Sequence, residues 1–128
     1  MNRRVFGLVL MTVFSVYATG AFAEYDQSTV KAVMKKNVST MGALKKAIDS
    51  SDFQSAETAF RAFAVNMKEL TGMTPPKGSK DDWDAVINEF IGTALKGADA
   101  SAQKDSAKVK QALDGLQALM KKGHSEFR

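Results

Sequence analysis

Residues 53–70 read FQSAETAFRAFAVNMKEL, in which Phe53, Ala56, Phe60, Phe63, Met67 and Leu70 follow one another at alternating steps of three and four. Side chains at that spacing fall on one face of an α-helix. Glu57, Arg61, Asn66, Lys68 and Glu69 lie off that face, so the helix is amphipathic. A single apolar stripe gains little until it is buried against other elements. The fold therefore depends on whether the flanking sequence supplies further stripes.

It supplies three. Upstream, Val30, Met34, Asn37, Met41, Leu44 and Ile48 repeat the spacing, with Asn37 the one polar member of the seam. Ser50-Ser51-Asp52 separates the two segments with turn and N-cap chemistry. Downstream, Gly72 is expected to stop the helix, and Met73-Thr74-Pro75-Pro76-Lys77-Gly78-Ser79 forms a loop because consecutive prolines cannot continue it. Ser79 or Asp81 then caps a third helix with Trp83, Val86, Ile87, Phe90, Ala94 and Ala98 inward. Around Gly97 to Asp105 the pattern weakens into a polar turn, and Val109, Leu113, Leu116, Met120, Gly123 and Phe127 form the fourth stripe. Strand-type alternation is missing from residue 24 onward. The spacing predicts an all-α antiparallel four-helix bundle with up-down-up-down topology.

The chain opens MNRRVFGLVLMTVFSVYATGAFA, where Arg3 and Arg4 precede an apolar run from Val5 to Tyr17 and Ala21-Phe22-Ala23 offers small residues for cleavage. This pattern predicts a secretory signal over residues 1–23 and a bundle domain over 24–128. No later stretch reaches the roughly 20 apolar residues of a membrane span, so the mature chain is expected in the periplasm without membrane insertion. Removal of Arg3 and Arg4 leaves 16 basic against 14 acidic residues, a net charge of +2. The lysines are interspersed with acids, which fits solvated helix faces and argues against nucleic acid as a partner. The absence of cysteine excludes disulfides, thiolate metal sites and thioether-linked haem.

Few residues carry chemistry. The sequence has no Ser-His-Asp or Cys-His set, no glycine-rich phosphate loop and no paired Glu-x-x-His helices. With His124 the sole histidine, a multi-imidazole zinc site within one chain is excluded. His124 directly follows Gly123, which occupies a seam position. A glycine inside a helix costs roughly 1 kcal/mol relative to alanine, so it either leaves room for something flat or caps the helix and lets Ser125 to Arg128 fray.

The ending GHSEFR, the loop MTPPKG, the first-helix segment MKKNVSTMGALKKAI and the export signal together resemble the four-helix-bundle cytochromes, cytochrome c′ and its haem b relative cytochrome b562. In the c′ branch the last helix carries C-x-x-C-H, where this chain has Met120-Lys121-Lys122-Gly123-His124, so covalent haem attachment is ruled out. In the b branch a histidine in H-x-x-aromatic-R and a methionine near the start of the first helix hold a non-covalent haem b. His124-Ser125-Glu126-Phe127-Arg128 matches that pattern, and Met34 is the best match for the opposite ligand, with Met41 or no ligand as alternatives.

The resemblance implies an electron carrier rather than an enzyme, because six-coordinate iron leaves no open site. Its partners would be periplasmic redox proteins, and the chain a monomer or homodimer. In an antiparallel bundle Met34 and His124 belong to the same end. Arg128 lies one helical turn beyond His124, where it could pair with a propionate. Phe127 is part of the matching motif, and Phe60, Phe63, Trp83 and Phe90 are candidates to wall the ring. Two other readings are a haem-free bundle serving as a binding or structural module, and a Cu(I) site using Met34, Met41 and His124.

Overall fold

The structure, a computed structural model, describes residues 25–128; the expected signal over residues 1–23 and its cleavage point lie outside the described residues. Four helices make up the fold: α1 (Gln27–Asp49), α2 (Phe53–Lys68), α3 (Lys80–Ala102) and α4 (Ser106–Phe127). Consecutive helices pack side by side, with α2 against α3 the most extensive pair. By contrast, α1 and α4 touch at only a few positions. The predicted all-α bundle is the observed one, and it is open along the α1–α4 seam.

Each helix starts at a side-chain oxygen that satisfies otherwise unpaired amides. Asp26 accepts from the N–H of Ser28 and Thr29, Asp52 from Ser55, Ser79 from Asp82 and Asp105 from Lys108. The Thr29 and Ser55 hydroxyls also donate to Asp26 and Asp52, at 2.8 and 2.6 Å, and these bonds, with those of the backbone, hold both carboxyls below the usual carboxylate range. The tight α1–α2 and α3–α4 turns share one design. Ser51 and Lys104 take positive φ, and the following Asp52 and Asp105 amides donate back to Ala47 and Ala100.

The sequence pattern needs correcting at several edges. On α1 the fully buried positions are Val33, Asn37, Leu44 and Ala47, whereas Val30, Met34, Met41 and Ile48 are half-buried. The stripe is thus rotated toward α2, because α1 has a close neighbour on that side and an open seam on the other. Helix α2 ends at Lys68, ahead of Gly72. Helix α3 continues through Gly97, Ala98, Ala100 and Ser101, all buried. What looked like a weakening pattern is a run of small residues that lets α2 approach: Phe60 is fully buried there, and a methyl group added at Gly97 would collide with its ring.

This contact makes Gly97→Ala destabilising by about 1–3 kcal/mol, the usual cost of overpacking. Exposed Gly92 of the same helix has nothing within 4 Å of an added Cβ, so Gly92→Ala should stabilise by roughly 0.5–1 kcal/mol. Urea unfolding of the two variants checks the opposite signs.

The long loop is fastened at the end of the bundle where α1 and α3 begin and α4 finishes. Trp83 Nε1 donates to the Leu70 carbonyl at 2.8 Å, and the Gly72 amide donates to Asp84 at 3.0 Å. Gly78, at φ +83°, lies against the Phe127 ring, where an added Cβ would sit 3.1 Å from it in a backbone conformation that favours glycine. Lys77 Nζ reaches the Arg128 carbonyl at 3.3 Å. Trp83 stacks edge-on with Phe127 (5.2 Å between centroids) and Tyr25 (6.1 Å), tying the last turn of α4 to the start of the bundle.

Candidate functional site

Where α1 and α4 part, the apolar faces leave a cavity of about 100 Å³. A single water needs roughly 10–15 Å³ of such space, so this cavity has room for more than one water. From α4 it is lined by Leu119, Met120, Gly123, His124 and Phe127, with Arg128 beyond the helix end. Val30, Met34 and Asn37 line it from α1, Met67 from α2, and Trp83, Val86, Ile87 and Phe90 from α3. Tyr25 closes the end.

His124 and Met34, singled out in the sequence, thus face one space from opposite helices. His124 is exposed at the mouth and Met34 is half-buried. Phe127 and Arg128 line the same cavity, and Arg128 forms no ion pair among the described residues. Phe63 does not reach it: the ring is fully buried behind Phe90, edge-on at 5.7 Å, and supports the wall from within. Phe60 is taken up by Gly97. Met41 lies outside the cavity, which separates it from His124.

Gly123 is inside α4, which runs on to Phe127, so it is not a helix cap. An added Cβ there would meet only Val86, at 3.9 Å. The protein's own packing therefore does not require glycine, whereas the cavity gains space from it.

Asn37 is 1% exposed, and its Nδ2 donates to the Met67 sulfur at 3.2 Å while its Oδ1 accepts from Asn66 at 3.2 Å. Its place as the one polar member of the α1 seam was the signal for this buried group. Met67 and Met120 carried no such signal, since methionine on a seam usually only fills a core.

No aspartate or glutamate side chain lines the cavity. Its walls are mostly apolar, Arg128 borders it, and an imidazole from α4 and thioethers from α1, α2 and α4 line it. That donor set suits a flat apolar macrocycle with an iron centre and peripheral carboxylates. The Cytochrome b562 family model matches residues 29–128, all but the first two residues of the four helices.

The chain belongs to the cytochrome b562 family.

Compared with curated proteins and with solved structures, it has no significant match. The family consists of haem-binding bundles of electron-carrier type that hold haem b without covalent bonds, and the absence of cysteine agrees with that mode. In this cytochrome b562 family member, Gly123→Ala should leave the haem-free protein equally or more stable, by up to about 1 kcal/mol. Were haem seated in this cavity, the same change would weaken hemin binding by intruding on it. Thermal melts and hemin titrations of one variant read both effects.

Proposed function

We propose that this protein is a periplasmic electron carrier that holds haem b non-covalently, with His124 and Met34 as the axial ligands. The observation that carries this reading is the cavity at the open α1–α4 seam, lined from α4 by the sole imidazole and from α1 by the Met34 thioether. When bound, haem supplies a one-electron iron couple, whose potential an imidazole–thioether pair raises relative to two imidazoles. Arg128 at the mouth neutralises propionate charge, and the Trp83 and Phe90 rings keep water from the interior face. Both ligands filled by protein leave no site for substrate, so the role is transfer rather than turnover.

Export is supported by the signal pattern of residues 1–23, and no described helix is long and apolar enough to cross a membrane. Lys121 and Lys122, exposed beside His124, suit an acidic patch on a redox protein partner.

Spectroelectrochemistry of the hemin-loaded protein tests the role. The reading predicts a reversible one-electron transition, and a potential lower by on the order of 0.1 V in Met34→Ala, within the roughly 0.8 V range that axial ligands control. An unchanged potential in Met34→Ala would remove Met34 as a ligand. Failure of the protein to take up hemin would point instead to a haem-free binding module.

A further inference from the structure

We propose that the same cavity is a Cu(I) site built from the thioethers of Met34, Met67 and Met120 and the imidazole of His124. All four line one cavity of about 100 Å³, and they come from α1, α2 and α4. Thioether and imidazole are soft and intermediate donors, the combination that selects Cu(I) over harder ions. The cavity offers no aspartate or glutamate side chain to a hard cation. Arg128 at the mouth opposes any cation, but a monovalent ion suffers half the repulsion of a divalent one.

The sulfur of Met67 is the fixed point of the set. Met67 is 5% exposed, and its sulfur accepts the Asn37 Nδ2–H at 3.2 Å. A thioether sulfur has two lone pairs, so this bond orients the side chain and leaves one pair available. Asn37, itself held by Asn66, is therefore a positioning residue for a ligand, in the manner of the outer hydrogen bonds of metal centres. Met34 and Met120 are half-buried and His124 is exposed, which gives an ion a route in from solvent. Met41 and Met73 are not among the lining residues.

The site shares Met34 and His124 with the proposed haem site without depending on haem binding, and the two occupants exclude each other. Protein free of haem and metal, titrated anaerobically into the coloured Cu(I)–bicinchoninate complex, should bleach it with saturation at one Cu(I) per chain. Met67→Leu, Met120→Leu and His124→Ala should each lower the affinity about tenfold or more, while Met41→Leu leaves it unchanged. Circular dichroism establishes that each variant is folded, and Met120→Leu, at a half-buried position, keeps the test open should Met67→Leu unfold. No bleaching, or wild-type affinity in folded Met67→Leu and Met120→Leu, overturns the proposal. Hemin titration of the same samples is read separately, so Cu(I) binding without hemin uptake contradicts only the electron-carrier reading.

Discussion

Trp83→Ala lowers the unfolding free energy by about 3–5 kcal/mol, the usual cost of truncating a buried aromatic. Against a typical total of roughly 5–15 kcal/mol, that is a large share. The indole is 5% exposed, packs edge-on against both Tyr25 and Phe127, and donates to the Leu70 carbonyl at 2.8 Å. Its loss opens a void and leaves that carbonyl unpaired. Because Phe127 is one turn from His124 and the loop at Gly78 rests on Phe127, the damage extends to the cavity. Urea unfolding followed by circular dichroism measures the loss, and a change below about 1 kcal/mol would show that the aromatic cluster is not what closes this end of the bundle.

His124→Ala removes the stabilisation that hemin confers while leaving the haem-free protein as stable as before. A ligand that binds only the folded state adds about 4 kcal/mol at a free concentration of 1,000 times its dissociation constant. That increment should raise the melting temperature of the wild-type chain and disappear in the variant. The imidazole is exposed and has no hydrogen-bond partner among the described residues, so its removal costs the fold little. Comparable hemin-dependent shifts in both proteins would mean that hemin sits on the surface or elsewhere.

The helices were legible because their stripes are long and their caps chemically explicit. Ser50-Ser51-Asp52 and the pair Ser79 and Asp81 contained the N-caps that form, Asp52 and Ser79, and Trp83, Val86, Ile87, Phe90, Ala94 and Ala98 are all buried as their spacing required. Helix ends and faces were less legible. The α3 extension hid in Gly97, Ala100 and Ser101, residues with little hydropathy whose value is their small size. The rotation of α1 toward Val33 and Asn37 follows from an asymmetric set of neighbours, which a single segment does not encode.

Of the residues that line the cavity, His124, Phe127 and Arg128 stand together in one short motif, and Met34 stands near the start of α1. An aromatic on a seam looks the same whether it faces a cavity or backs another ring, and Phe63 backs Phe90. Met67 and Met120 became candidates only when three helices brought their side chains to one space.

The central claim is that the cavity at the α1–α4 seam holds a haem on His124. An optical titration of the purified protein with hemin, run beside His124→Ala, tests it most directly. The account predicts saturation at one haem per chain, with sharp low-spin bands on reduction that are absent from the variant. Non-saturating uptake, or identical spectra from the two proteins, would contradict it.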